Sequence, residues 1–339
     1  MPNEAFLREF LAAMPDPALL VGRDERLVGA NPAAEALLGA GIAGRHQAFV
    51  LRHPEILTAI AEAWAGRRSE ARHVIPRASH EVIHRMTAAK VGDFVLCTFQ
   101  DLTDRERMDQ MRRDFVANVS HELRTPLTSV LGFIETLRGP AREDAAARDR
   151  FLAIMQTEAE RMVRLVRDLL NLSRVETKER QRPTDRHDVT LLIRSAAHSL
   201  RPQAETARVK LDLQGFDQPI EIAVDPDQIT QVATNLIENA IKYGGADKVV
   251  TARLAVEEGP RRPLLRFAVT DQGEGIESHH LPRLAERFYR VDSHRSREKG
   301  GTGLGLAIVK HIAHRHGGKL VIESEIGRGS TFTLLLPMG

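Results

Sequence analysis

Apolar residues recur at helical spacing over two long stretches, and these stripes constrain the fold more than any other feature of the chain. The first carries Met108, Met111, Phe115, Val119, Leu123, Leu127, Leu131 and Ile134, and the second Phe151, Ile154, Met155, Met162, Leu165, Val166, Leu169 and Leu172. Steps of three and four residues keep such side chains on one helical face. Gly139-Pro140 breaks the pattern between them, so the region predicts two helices joined as an antiparallel hairpin. Thr103-Asp-Arg-Glu106 has capping-box spacing and marks the expected start. Two helices alone cannot enclose stripes this wide. Pairing of two chains into a four-helix bundle, a homodimer, is the expected remedy.

The flanks have a different texture. Up to about residue 102, short apolar runs such as Ala18-Leu-Leu-Val21 and Phe94-Val-Leu-Cys97 alternate with turn residues, as in a small mixed α/β domain. Asn31-Pro32 reads as a helix N-cap followed by proline at the first helical position. Residues 176–187 are polar and read as a linker. Beyond it, 188–339 is α/β: helices are expected at 189–206, from the Asp225-Pro226 cap to Tyr243, and at 304–316. Strands are expected at 209–213, 248–256, 264–271, 319–324 and 330–336. The organisation is therefore multidomain α+β, with boundaries at 1–102, 103–178 and 188–339.

Composition narrows the function classes. The 339 residues suffice for two or three domains, and 48 Lys+Arg against 46 Asp+Glu leave a net charge of only +2. That balance argues against nucleic-acid binding. The single cysteine, Cys97, excludes an internal disulfide and any cysteine-clustered metal site, and fits a reducing compartment. No apolar run approaches the roughly 18 residues of a membrane span, and no signal peptide is visible. The chain as written reads as cytoplasmic, with no membrane association encoded in it.

Four segments carry chemistry. The run Ser120-His-Glu-Leu-Arg-Thr-Pro126 puts an imidazole, a carboxylate and a hydroxyl within about one helical turn, because Thr125 lies four residues after His121. A carboxylate such as Glu122 that accepts from one ring nitrogen leaves the other as a nucleophile. Pro126 removes the backbone donor to the Glu122 carbonyl and should bend the helix. A histidine alone on a charged helix face would be unremarked; the later segments give it something to attack. Asn235, Glu238, Asn239 and Lys242 share one helical face, a set of amides, acid and amine suited to hydrated Mg²⁺ and phosphate oxygens. At a strand end, Asp271-Gln-Gly-Glu-Gly275 offers a carboxylate for an exocyclic amine, and Gly273 and Gly275 let the backbone approach a flat base. Gly300-Gly-Thr-Gly-Leu-Gly-Leu306 runs into a helix and reads as an anion site of backbone donors; it is neither a Walker loop nor a dinucleotide fingerprint. The charged stretch Tyr289–Lys299 before it has the look of a lid.

Together these segments resemble the sensor histidine kinases of two-component signalling. His121-Glu-Leu-Arg-Thr-Pro126 is similar to the family's H-box, Asn235 to Asn239 to its N-box, Asp271-Gln-Gly-Glu-Gly275 to its G1 box, Arg287-Phe-Tyr-Arg290 to its F-box and Gly301-Thr-Gly-Leu-Gly305 to its G2 box. The resemblance covers about 103–339. It implies a dimerisation and phosphotransfer hairpin at 103–178 and a Bergerat-fold domain binding ATP with Mg²⁺ at 188–339. By position it implies His121 as phosphoacceptor, Glu122 as its orienting base, and Thr125 as the residue that supports dephosphorylation of the partner. It implies Asn239 as metal ligand with Asn235 beside it, and Asp271, Gly273 and Gly275 at adenine. Lys242, Tyr243 and Arg290 would contact phosphates or the lid, with Thr302, Gly303, Leu304 and Gly305 at the phosphates.

The activity implied is autophosphorylation of His121 from ATP and transfer to an aspartate of a response regulator, with dephosphorylation of that regulator as a further activity. A protein acting mainly as the phosphatase is one alternative. A chaperone- or topoisomerase-type ATPase is another, sharing the pocket but having no use for His121. Residues 1–102 resemble a PAS sensor domain, on Val28-Gly-Ala-Asn-Pro-Ala-Ala34 and the terminal Phe94–Asp101 strand. Leu51-Arg-His-Pro-Glu-Ile56 is similar to phosphate-regulon sensor kinases.

Overall fold

The computed structural model describes residues 4–76, 81–139, 141–178, 181–259, 262–291 and 301–338. They form two compact units, Met1–Ala117 and Asn118–Gly339. Among the described residues no helix is long and apolar enough to cross a membrane.

The first unit is built on an antiparallel sheet of order β2-β1-β5-β4-β3, from β1 (Ala18–Val21), β2 (Leu27–Ala30), β3 (Ser69–Pro76), β4 (Glu81–Val91) and β5 (Phe94–Asp101). Helix α1 (Glu4–Ala12) precedes it, and α2 (Pro32–Leu38), α3 (Gln47–Val50) and α4 (Pro54–Trp64) lie between β2 and β3 in the chain. The core gathers Leu19, Val21, Ile56, Ile60, Met86, Val95 and Phe99. Asn31 is buried with its polar atoms used: Oδ1 accepts from Ala34 N at 2.8 Å and from Ala18 N, while Nδ2 donates to the carbonyls of Met14 and Asp16. Its side chain thus caps α2, as expected, and also staples that helix to β1. Cys97 is buried in β5, and burial pushes its thiol up to about 12, which makes it a core residue and not a reactive one.

Helix α5 (Thr103–Arg138) starts where the capping box places it, but its first turn is satisfied differently. Asp101 Oδ1 accepts from Thr103 N at 2.8 Å, and the Thr103 hydroxyl instead accepts from Ile83 N of β4 at 2.9 Å. Glu106 pairs with Arg72 at 3.7 Å. Strand β4 competes successfully for the hydroxyl that a free helix would have used. The helix continues through Pro126. It ends at Arg138, next to Gly139; Pro140 lies outside the described residues.

In the second unit, α6 (Ala145–Lys178) follows, opened by Asp144, whose carboxylate accepts from Ala147 N at 2.9 Å. Phe133 and Phe151 stack across the hairpin at 5.1 Å. Leu165, Leu172 and Val175 are buried, whereas Leu127, Leu131, Val163, Val166 and Leu170 stay about half exposed. The remaining fold is a sheet of order β11-β12-β10-β9-β7, with β7 parallel to β9 and the other pairs antiparallel. Its strands are β7 (Lys210–Gln214), β9 (Val249–Glu257), β10 (Leu264–Asp271), β11 (Lys319–Glu325) and β12 (Gly329–Pro337). Helices α9 (Pro226–Tyr243) and α10 (Gly305–Arg315) pack on it, α7 (Val189–Ser199) packs beside α9, and α10 also packs against α6.

Two expectations change here. The helix expected over 189–206 is two, α7 and α8 (Arg201–Thr206), because Pro202 starts a new helix after Leu200. The expected linker 176–187 contains the end of α6 and most of β6 (Arg186–Asp188), which pairs with β8 (Glu221–Ala223). Three-residue strands carry too little alternation to be read from sequence.

Candidate active site

Helix α9 sets the site. Asp225 accepts from Gln228 N and Pro226 occupies the first turn, so the helix starts where the sequence predicts. Ile229, Val232, Ala233, Leu236, Ile237, Ala240 and Ile241 face the core. That leaves Asn235, Glu238, Asn239 and Lys242 on the opposite face, all lining one cavity of about 920 Å³. Lys242 Nζ stands 3.6 Å from Glu238 Oε2, and Asn235 Nδ2 donates to the Gly305 carbonyl at 3.3 Å. Helix α9 is thereby tied to the first turn of α10. Tyr243 lines the same cavity and is 41% exposed, as suits a residue at its rim.

Asp271 ends β10 at the cavity floor and is only 4% exposed. Its Oδ1 accepts from Gly273 N at 2.8 Å. Burial nevertheless holds the carboxyl above its ordinary range, against the hydrogen bonds from Gly273 and Ser330. Gly273 and Gly275 are needed sterically. A Cβ on Gly273 would strike the Tyr243 carbonyl, and one on Gly275, whose φ is +75°, would strike the Glu325 carbonyl. The backbone here closes against its neighbours, and Asp271, Gly273 and Gly275 all line the cavity.

Thr302, Gly303 and Gly305 also line the cavity, and Leu304 is buried as the residue before α10. Gly303, at φ +72°, accepts from Phe288 N at 2.8 Å, and Phe288 itself sits at φ +63°. The Thr302 hydroxyl donates to Asp168 Oδ2 of α6 at 2.7 Å. Asp168 is driven toward its neutral form by burial and by the nearby Glu238. Gly300 and residues 292–299 of the lid expected over Tyr289–Lys299 lie outside the described residues.

His121 is exposed on α5. Thr125, also exposed, donates its hydroxyl to the His121 carbonyl at 3.2 Å. The Glu122 carboxylate is held by two guanidinium groups: its Oε2 accepts from Arg161 at 3.0 Å and from Arg290 at 3.1 Å. Arg290 belongs to the cavity wall, so it joins the neighbour of His121 to the lining of the pocket. Its Nε is buried and, among the described residues, has no hydrogen-bond partner. A donor left aimed at nothing beside a large polar-lined cavity fits an anionic ligand.

The residues expected at the pocket therefore converge in one unit. Those the sequence reading did not pick out lie on α6. Arg161 grips Glu122, Asp168 takes the Thr302 hydroxyl, and Glu176 accepts from Arg287 at 2.6 Å with His311 3.7 Å away. Their polar positions look like ordinary helix surface. The only available signal was that Arg161, Asp168 and Glu176 are spaced at about two turns, on one side of α6.

Comparison with known proteins agrees with this layout. Residues 111–178 match the "His Kinase A (phospho-acceptor) domain", and 224–339 match the "Histidine kinase-, DNA gyrase B-, and HSP90-like ATPase" domain. The chain belongs to the sensor histidine kinases. Among its relatives, the sensor histidine kinase WalK of Bacillus subtilis (strain 168) is 40% identical over 72% of this chain. A sensor protein kinase WalK of Staphylococcus aureus is 36% identical over 79% of it. The alignments span 40% and 63% of those relatives, so this chain corresponds to about half of proteins of that kind. The solved complex of the histidine kinase ThkA with the response regulator TrrA aligns over 98% of both kinase chains at a TM-score of 0.52. At 19% identity that likeness is one of fold. These relatives lend no support to the narrower reading as a phosphate-regulon sensor.

Proposed function

We propose that this chain is an ATP-dependent protein-histidine kinase that phosphorylates His121 and passes the phosphoryl group to an aspartate of a response-regulator receiver domain. One observation carries the reading: Arg290 lines the cavity and also bonds Glu122, the neighbour of His121. This contact supports reading phosphoacceptor and nucleotide pocket as parts of one site. ATP supplies the γ-phosphoryl group. Asp271 accepts from the exocyclic amine of adenine, Gly273 and Gly275 admit the ring, and Lys242, Tyr243, Arg290 and the backbone at 302–305 bind phosphates. Asn239, with Asn235 and Glu238 beside it, presents oxygen donors of the kind that hold hydrated Mg²⁺. An imidazole nitrogen of His121 attacks the γ-phosphorus, the bond to the β-phosphate oxygen breaks, and ADP leaves. Glu122, once released by Arg290, orients the ring and takes its proton. The work asked of the protein is positioning and charge neutralisation.

Residues 103–178 act as a dimerisation and phosphotransfer domain, and 188–339 as the nucleotide domain. A homodimer covers the half-exposed apolar row of the hairpin. The antiparallel sheet of the first unit, with three helices between β2 and β3, supports reading 1–102 as a PAS-like sensor. Thr125 orients a water that attacks the aspartyl phosphate of the regulator, freeing the aspartate and releasing inorganic phosphate. A chaperone- or topoisomerase-type ATPase would share the nucleotide domain, but the phosphoacceptor-domain match over 111–178 favours the kinase.

The test is incubation with γ-labelled ATP and Mg²⁺. Acid-labile, alkali-stable label is expected on the wild type and absent from His121→Gln and Asn239→Ala. Label that persists in His121→Gln would overturn the assignment of the phosphoacceptor.

A further inference from the structure

Just past the adenine loop the chain reads Glu277-Ser-His-His280, and the fold brings three potential ligands together. One carboxylate oxygen of Glu277 and one ring nitrogen each of His279 and His280 lie within 4.8 Å of one another. Glu277 Oε2 is 3.1 Å from His279 Nδ1, and the two imidazole centroids are 3.8 Å apart. In a tetrahedron of bonds near 2.0–2.1 Å, ligand atoms stand about 3.3 Å from each other. Glu277 and His279 are exposed, which leaves their side chains room to adjust toward that geometry.

We propose that Glu277, His279 and His280 bind a first-row transition-metal ion of the Zn²⁺ class, at a site separate from the nucleotide pocket's own cation. Two imidazoles and a carboxylate are the donor set for such an ion, whereas Mg²⁺ prefers oxygen alone. Three protein ligands leave a fourth position open to water or to an incoming group. Imidazole and carboxylate ligands hold a metal in their deprotonated forms, so binding weakens as the pH falls.

A second feature supports a site over a chance cluster. His280 Nδ1 meets the Tyr289 hydroxyl at 2.6 Å. Metal-bound histidines characteristically use their other ring nitrogen in such a bond, which fixes tautomer and orientation. Tyr289 is itself held under the Arg283 guanidinium, 4.3 Å from the ring centroid, and Glu286 offsets that charge at 3.3 Å from Arg283 Nε. Tyr289 also lines the nucleotide cavity. The metal would therefore stiffen the chain immediately before 292–299 and link its occupancy to nucleotide binding.

The experiment titrates Zn²⁺ into the metal-stripped chain in competition with a chromophoric chelator. Wild type is expected to bind one equivalent that excess Mg²⁺ does not displace, with Co²⁺ giving the intense visible bands of low coordination number. His279→Ala and His280→Ala should each lose at least about tenfold in affinity, and Tyr289→Phe, which removes only the supporting oxygen, about tenfold. The thermal midpoint without metal is an internal check on folding. Equal Zn²⁺ affinity in wild type and both folded histidine variants would overturn the proposal, as would binding that Mg²⁺ abolishes.

Discussion

Asp271 has a carboxyl that burial pushes toward its neutral form, at the place where a charged acceptor is most useful. A folded-state value raised above the unfolded one contributes stability only at low pH, and that contribution is lost as pH rises through the folded value. Ionising this side chain is therefore a cost to the protein without ligand. Asp271→Asn removes the cost but, in the proposed nucleotide complex, turns an amide hydrogen toward the adenine amine. The expected outcome is an equal or higher thermal midpoint with nucleotide affinity down about 10–100-fold, since a hydrogen bond to a charged group contributes ~1.5–3 kcal/mol. A fluorescent nucleotide titration beside a melting curve checks both halves. His316 shows the opposite sign. Its Nδ1 faces the Ile312 carbonyl at 2.8 Å, Nε2 accepts from Asp225 N at 3.1 Å, and burial lowers its affinity for a proton. The unfolded chain takes up a proton below about pH 6.5 that the folded ring resists. Stability should fall as pH drops from 6.5 toward the lowered folded value. His316→Gln should flatten the dependence of the unfolding midpoint across pH 5–6.5; an unchanged slope would refute it.

Among the elements, the start of α5 is the junction most open to a stability test. Asp101 caps Thr103 N, hydrogen bonds from Thr103 hold the Asp101 carboxyl below its usual range, and the Thr103 hydroxyl satisfies Ile83 N. Asp101→Ala should cost ~1 kcal/mol, the typical loss of an N-cap. Thr103→Val should cost about 1–3 kcal/mol, because it orphans a strand N–H. Denaturant midpoints of the two variants decide the order; if Thr103→Val were neutral, the strand bond would be dispensable. The same junction marks how far the sequence can be read. Boundaries set by local chemistry were legible: Asp225-Pro226 opens α9, Asn31-Pro32 opens α2, and alternation marks β10. The face of α9 that lines the pocket follows from the same 3.6-residue period that buries its other side. What was hidden depends on partners distant in sequence. Nothing near Thr103 reveals that Ile83 takes its hydroxyl, and nothing near Glu122 points to Arg161 or Arg290, 39 and 168 residues away. The α6 residues Asp168 and Glu176 acquire a role only when the nucleotide fold packs on that helix.

For the whole molecule, α6 separates two demands on the hairpin. One side meets the nucleotide fold through Asp168–Thr302 and Glu176–Arg287, over buried Leu172 and Val175. The half-exposed Leu127, Leu131, Val166 and Leu170 take no part in those polar contacts, and in the proposed homodimer a second hairpin covers them. These demands can be tested apart. Leu131 is 53% exposed and lies outside the cavity lining. Burying a leucine is worth ~1.5–3 kcal/mol, and in a two-fold dimer each substitution counts twice. Leu131→Glu, which also adds two like charges at the seam, should weaken association by ~3 kcal/mol or more, roughly a hundredfold. Light scattering at micromolar concentration should then give the mass of one chain for the variant and of two for the wild type. Nucleotide affinity should stay the same, because one chain supplies the cavity lining described above. A dimeric Leu131→Glu would show that the exposed row is not the seam, and a monomer that had also lost nucleotide binding would show that the pocket depends on the bundle.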